Sequence, residues 1–144
     1  MLPLRAQAST RVGMTYDQML ERIRYEGAYP TRERAEEVTR AVLTALGRQL
    51  TGDERRELAA CLPAEAARAL TGRHAGAESL TGWGFVKDLA TRTGGTPATA
   101  RWDTGAVLTV VGRLAGPALL DRVLAQLPSG YALLFGRAEL IQAA

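Results

Sequence analysis

The sequence predicts an all-α protein, a bundle of about eight short helices built from two tandem pseudo-symmetric four-helix repeats. Composition favours helix, because alanine, leucine and arginine dominate and aromatic residues make up only 6% of the chain. Apolar residues recur at helical spacing, and no segment shows a sustained period of two. The chain also resembles itself at a constant offset of 65 positions.

The internal repeat depends on paired motifs that share this offset. Gly47-Arg48 aligns with Gly112-Arg113, and Leu62-Pro63 aligns with Leu127-Pro128. Apolar matches alone would arise by chance, whereas two such pairs at one offset are improbable. Further identities at the same offset pair Thr31, Ala35, Thr39, Ala41, Val42, Leu43, Thr44 and Ala60 with Thr96, Ala100, Thr104, Ala106, Val107, Leu108, Thr109 and Ala125.

The repeat predicts the domain organisation. We expect one domain over residues 15–136, made of a first copy (15–72) and a second copy (81–136) joined by a linker (73–80). Residues 1–14 show no apolar pattern and are expected to form a disordered N-terminal extension. Residues 137–144 are expected to form a C-terminal tail.

Helix boundaries in the first copy follow from N-capping residues. Thr15 with Gln18, and Thr51 with Glu54, predict capping boxes, in which two side chains satisfy otherwise unpaired backbone N–H groups. Thr31 predicts the N-cap of the second helix. The predicted helices of this copy are 16–26, 32–47, 53–61 and 64–71.

Proline and glycine set the boundaries in the second copy. Thr96 precedes Pro97, and Gly116 precedes Pro117, so each proline is predicted at a first helical position, where its missing N–H is not needed. Gly94-Gly95 predicts a helix C-cap followed by a turn. The predicted helices of this copy are 82–92, 97–113, 117–126 and 129–136.

Composition also excludes several classes of protein. A hydrophobic fraction of 47% is ordinary for a globular protein, and no run reaches the length of about 18 apolar residues that a membrane span needs. The single cysteine, Cys61, excludes an intramolecular disulfide. The first residues lack the apolar core of a signal peptide. We therefore expect a cytoplasmic protein with no membrane association.

The residues that could support chemistry predict no catalytic, metal or cofactor site. His74 is the only histidine and lies in the linker, so Cys61 and His74 cannot form a zinc site of the Cys/His type. Cys61 is expected to be a half-buried structural residue. Acidic residues of the second helix are expected to pair with arginines, in particular Glu36 with Arg32 and Arg40. Those at the start of the third helix (Asp53, Glu54 and Glu57) suit the helix dipole.

Charge distinguishes the two copies. Residues 15–72 contain nine cations and ten anions, whereas 81–137 contain six cations and three anions. Arginine beside tryptophan could contact phosphates and bases, which makes the basic copy a possible nucleic-acid or anionic surface. The alternative is that Trp83 covers the core. The candidate residues are Trp83, Lys87, Arg101, Trp102 and Arg113.

Several motifs resemble the bacterial family known as domain of unknown function 2267. The resembling segments are Tyr16-Asp17-Gln18-Met19-Leu20, Arg40-Ala41-Val42-Leu43, Leu58-Ala59-Ala60-Cys61-Leu62-Pro63 and Ala125-Gln126-Leu127-Pro128 with Tyr131, Leu134 and Phe135. The resemblance implies an all-helical two-repeat bacterial protein with no established activity. It also implies packing roles for Tyr131 and Phe135, with the Tyr131 hydroxyl placed in the structure. The plain Ala66-Ala67-Arg68-Ala69-Leu70 segment departs from the family pattern, so the fourth helix is expected to pack weakly.

The sequence thus favours a non-enzymatic module that binds another protein, in an accessory and possibly stress-related role. One alternative is nucleic-acid or anionic-partner binding through the second copy. The other is small-ligand binding or enzyme activity in the groove between copies. The sequence leaves the oligomeric state open.

Overall fold

The computed structural model describes residues 14–72 and 78–137, and all regular secondary structure in these segments is helical. The described segments form eight helices, which confirms the predicted all-α class, and their ends lie within two residues of the predicted ones. The expected N-terminal extension through residue 13, His74 and the tail after Arg137 lie outside the described residues. The helices are α1 (Tyr16–Gly27), α2 (Arg32–Gln49), α3 (Gly52–Ala60), α4 (Ala64–Thr71), α5 (Gly82–Thr93), α6 (Pro97–Ala115), α7 (Pro117–Gln126) and α8 (Tyr131–Leu134).

Most predicted caps are present. The Thr15 hydroxyl accepts from the backbone N–H of Gln18, and the Gln18 side chain accepts in turn from the Thr15 N–H, which completes the capping box. Thr31 and Thr96 cap α2 and α6 through the same threonine-to-N3 bond. Pro97 begins α6 as predicted. These local bonds explain why helix starts can be predicted from the sequence.

The capping box predicted for Thr51 and Glu54 is wrong. The Thr51 side chain makes no capping bond. Instead the Thr51 backbone N–H donates to Oε1 of Gln126, at 2.8 Å, and the Gln126 amide also reaches Glu54, at 3.2 Å. A side chain from α7 therefore takes the place of the local cap, because the end of α7 lies beside the start of α3.

The core is centred on the two long helices, α2 and α6, which pack against each other. Val42 and Leu43 of α2, and Val107 and Leu108 of α6, are fully buried. Helix α1 packs on both long helices, α4 packs on α2, α5 packs on α6, and α3 packs on α7. Each fully buried side chain of this size contributes about 1.5–3 kcal/mol. None of the described helices has the length and apolar character needed to cross a membrane.

The expectation that α4 packs weakly is wrong. Ala66 and Leu70 are 1% and 0% exposed, and both belong to the core cluster. The small alanines let α4 approach α2 closely, so aromatic residues are not needed there.

Helix α8 is shorter than predicted, because Gly130 and Gly136 adopt left-handed conformations on either side of it. Tyr131 is nevertheless almost fully buried, and its hydroxyl donates to the Leu80 carbonyl at 2.9 Å, which confirms its expected role. Its ring meets Phe85 edge to face, with centroids 5.7 Å apart.

Candidate functional site

In the turn between α1 and α2, the Tyr29 ring lies directly against the backbone of Gly27. Ala28 adopts the left-handed conformation, with φ of 55°, and the Tyr29 N–H returns to the Arg24 carbonyl at 2.9 Å. The Tyr29 ring then folds over Gly27, where a Cβ would lie only 2.2 Å from a ring carbon. Glycine is therefore required at position 27 for this ring position.

Two side-chain hydrogen bonds fasten this turn to α6. The Tyr29 hydroxyl donates to Oδ1 of Asp103 at 2.6 Å, and the Trp102 indole N–H donates to the Gly27 carbonyl at 2.9 Å. Burial of the ring, and the hydrogen bond from its hydroxyl to the Asp103 carboxylate, raise the pKa of Tyr29 well above its usual range. Two neighbouring residues of α6, Trp102 and Asp103, thus attach the α1–α2 turn to that helix.

Trp102 is fixed at one edge but open to solvent over most of its surface. Its side chain is 57% exposed, and the nearby Leu133 is 54% exposed. Both line a cavity of about 260 Å³ between the end of α1, α6 and α8. We call this area the Trp102 surface, defined by Glu26, Arg101, Trp102, Ala106, Leu133 and Leu134.

Trp83 is exposed to a similar degree but in a different setting. It is 59% exposed, so the interpretation that it covers the core is wrong. The Lys87 ammonium lies 5.8 Å from the centre of its ring, one helical turn further along α5. No indole hydrogen bond of Trp83 is found in the described part of the chain. Trp83 and Trp102 therefore make a matched pair for experiments.

The groove between the two copies contains a second cavity, also of about 260 Å³. Arg34, Glu37 and Val42 of α2 face Thr93 and Asp103 across it. Its polar groups already have partners in the protein. Arg34 pairs with Glu37 at 2.9 Å, Asp103 accepts from Tyr29, and the Thr93 hydroxyl donates within α5.

Ion pairs between the copies neutralise part of the second copy's positive charge. Arg113 pairs with Glu26 at 3.2 Å, and Arg122 forms two hydrogen bonds to Glu57, at 2.7 and 2.9 Å. The Arg122 guanidinium holds the pKa of Glu57 below its usual range. Arg113, one of the candidate phosphate-binding residues, is thus already engaged.

The predicted arginine pairs of α2 are only partly present. Arg40 pairs with Glu36 at 2.9 Å, as predicted. The predicted Arg32–Glu36 pair is wrong, because Arg32 turns instead to Glu21 of α1, at 3.0 Å. Glu36 accepts from the Tyr16 hydroxyl, and burial together with the Glu36 carboxylate raises the pKa of Tyr16 to about 12.

The remaining candidate chemical groups are scattered. Cys61 is half-buried against the core, and burial, with a smaller contribution from Glu57, raises the pKa of its thiol. A raised thiol pKa lowers the fraction of reactive thiolate at neutral pH. Among residues 14–72 and 78–137, no three His, Cys, Asp or Glu side chains are placed to hold a metal ion.

Sequence reasoning missed two of the residues that build the Trp102 surface and its support. Leu133 gave no signal, because a four-residue helix is too short for periodicity to indicate its exposed side. Tyr29 lies in a short turn beside Pro30, where an aromatic residue could have indicated packing. Its partner Asp103, however, is 74 positions away along the chain.

The fold and these surfaces define an all-helical protein in which Trp102 is fixed through its indole N–H and exposed over more than half of its side chain. The chain belongs to the family described as "Uncharacterized conserved protein (DUF2267)", whose model matches residues 16–134. This membership confirms the resemblance seen in the sequence. A comparison with curated proteins finds no match.

Proposed function

We propose that the protein is a non-enzymatic binding module and that a partner protein docks on the Trp102 surface. The observation that carries the proposal is the state of Trp102, whose indole N–H is fixed to the Gly27 carbonyl while the side chain remains 57% exposed. Tryptophan is among the residues most enriched at the energetic centres of protein interfaces. A ring already held in one position loses little conformational freedom when a partner covers it.

The proposal includes an accessory role in the cytoplasm of a bacterium, including under stress. The family description "Uncharacterized conserved protein" names no activity. The half-buried, high-pKa Cys61 and the paired carboxylates of α2 and α3 also suit a binding role better than catalysis.

We also propose that the two copies are related by a pseudo-twofold axis. Glu57 and Arg122 lie 65 positions apart, the offset of the sequence repeat, and they contact each other directly. Contact between equivalent positions is expected only near such an axis. Helices α2 and α6 begin at residues 32 and 97, and α3 and α7 at 52 and 117, which supports the same relation.

Affinity capture from an extract of the source organism tests the binding function. The full chain, Trp102→Ala, Leu133→Ser and the matched control Trp83→Ala would be immobilised, and retained proteins quantified by mass spectrometry. We expect the same partner on wild type and Trp83→Ala, with about tenfold less on the other two variants. Circular dichroism would verify that every variant is folded. Equal retention on all four proteins would contradict the proposal.

A second candidate is a small ligand in the groove between the copies, which the cavity beside Asp103 and Arg34 favours. Its volume of about 260 Å³ is just below the range of about 300–1,000 Å³ that is usual for ligand sites. The internal pairing of its polar groups weighs against it. A thermal-shift screen of small metabolites would test it, with Ala41→Trp, at a half-buried lining position, as a variant that fills the cavity.

Anionic-partner binding through the second copy is the third candidate. The exposed Trp83 with Lys87 favours it, and the engagement of Arg113 and Arg122 by first-copy carboxylates weighs against it. Phosphate contacts would make the affinity fall steeply with salt. Titration with single- and double-stranded DNA at low salt is the measurement, and a lack of binding would exclude this function.

A further inference from the structure

Arg101 gives the Trp102 surface a positive charge that no carboxylate of the described residues neutralises. Arg101 and Glu26 are the two charged residues that line this cavity. Glu26 is paired with Arg113, whereas Arg101 has no carboxylate within 4.0 Å in the described part of the chain. Arg101 is exposed, and its guanidinium lies along α6 towards Gly105, with Nη1 3.1 Å from where a Cβ on that glycine would be. The guanidinium and the indole therefore line the same cavity, and the guanidinium lies over a position that has no side chain.

Thr109 also lines the cavity, and the other side chains that define the surface are apolar. Trp102 and Leu133 are its exposed members, and Ala106 and Leu134 are buried beneath the same cavity. A partner must therefore supply an apolar side chain to cover the indole and Leu133. It must also supply a negative group to pair with Arg101.

We propose that the Trp102 surface binds a peptide segment of another protein that presents a large apolar side chain beside a carboxylate. This inference rests on the proposed binding function and adds the chemistry of the partner. An amphipathic helix laid in an apolar groove is a common form of such recognition. The carboxylate pairs with Arg101 and sets the orientation of the segment, since complementary charge at the edge of an interface mainly supplies specificity.

Two other occupants fit the charges less well. A second copy of the chain would form a twofold interface in which the same surface faces itself, and the carboxylate that this surface offers to Arg101 is Glu26, which is already paired with Arg113. A nucleic acid could stack on Trp102, but its phosphates would meet the Glu26 carboxylate, and Leu133 would remain unused. Both remain outcomes of the experiment.

The experiment uses the fluorescence of Trp102 itself. The chain contains two tryptophans, so Trp83→Phe in the full-length protein leaves Trp102 as the only indole. The probes are two synthetic amphipathic peptides with the same apolar pattern, one with glutamate and one with lysine on the polar face, and an oligothymidine. A blue shift of the emission reports that the indole has been covered.

We expect the acidic peptide to bind with a Kd at least about threefold lower than the basic peptide at low salt. Arg101→Gln should bring the two affinities together, whereas Arg68→Gln, an exposed arginine on α4, should leave their ratio unchanged. Leu133→Ser should weaken both peptides to a similar extent, because it removes the apolar contact alone.

The other outcomes separate the inference from the function on which it rests. Equal binding of both peptides, or an unchanged ratio in Arg101→Gln, overturns the carboxylate preference and leaves apolar docking in place. Binding of neither peptide, tighter binding of the oligothymidine, or a concentration-dependent blue shift without any probe also overturns the inference. The binding function fails only if capture of partners from the extract does not depend on Trp102 or Leu133.

Discussion

Replacing Tyr29 by phenylalanine would remove one phenolic hydroxyl and leave the ring over Gly27. The lost hydroxyl is the donor in the 2.6 Å bond to Asp103, which joins the α1–α2 turn to α6. A hydrogen bond to a charged acceptor contributes about 1.5–3 kcal/mol to stability. Asp103 is half-exposed and regains water when the hydroxyl is absent, so we expect a loss near the lower end, about 1–2 kcal/mol.

The assay is urea unfolding followed by circular dichroism, supported by thermal melts. A loss of this size should lower the melting temperature by about 3–7 °C for a chain of this length. Tyr25→Phe is the matched control, because Tyr25 is 81% exposed and makes no comparable contact in the described residues. A double-mutant cycle with Asp103→Ala should give a coupling energy of about 1 kcal/mol. A Tyr29→Phe protein within about 0.5 kcal/mol of wild type would refute the reasoning.

Alkaline pH provides an independent check on Tyr29. Its raised pKa means that the folded protein keeps the phenolic proton after the unfolded chain has begun to lose its own, near pH 10. The unfolded state is then favoured, so the contribution to stability is complete below about pH 10 and is lost as pH rises. Tyr29→Phe should make the alkaline fall in stability shallower, and an unchanged slope would contradict the assigned pKa direction.

Three further changes test other parts of the fold. Gly82→Ala should lower the free energy of unfolding by about 1–3 kcal/mol, because the new Cβ would lie 2.6 Å from the backbone of the turn before α8; denaturant titration measures it. Thr104→Val should raise that free energy by about 1 kcal/mol, since the buried Thr104 hydroxyl has no partner in the described residues. Thr39→Val should not raise the free energy of unfolding, because the Thr39 hydroxyl already donates to a helix carbonyl. Arg122→Glu should lower the melting temperature at neutral pH, and adding Glu57→Arg should restore it. The Arg122 guanidinium lowers the pKa of Glu57, so the ion pair stabilises the fold only while Glu57 is ionised. The effect of Arg122→Glu should therefore disappear as the pH falls below the pKa of an ordinary glutamate, about 4.3. An effect that persists in acid would argue against the pair.

The helical class and most helix ends could be predicted from the sequence because their causes are local. Thr15 and Gln18 satisfy each other's backbone groups within one turn, and Pro97 fits only at a helix start. The exception is Thr51, whose expected local cap is replaced by Gln126 of α7. A local pattern cannot predict a donor or acceptor that arrives from 75 positions away.

Helical periodicity also indicated which faces are buried. It did not distinguish the roles of Trp83 and Trp102, which have nearly equal exposure on two amphipathic helices. Their difference depends on which backbone carbonyl lies beside each indole, and for Trp102 this is Gly27. The charge difference between the copies could be counted in the sequence. The sequence did not indicate which residues would form ion pairs, such as Arg122 with Glu57.

The sequence by itself thus determined the eight helices, most of their caps and the apolar faces that build the core. Only the tertiary structure decided that Tyr29 and Trp102 fasten the α1–α2 turn to α6, that Leu133 and the indole line one cavity, and that Arg101 has no carboxylate partner among the described residues. The physical reason is the distance along the chain between the residues that interact. Caps and helical faces are set by backbone bonds between residues three or four apart, whereas the Trp102 surface is assembled from α1, α6 and α8, which meet only after the core has closed.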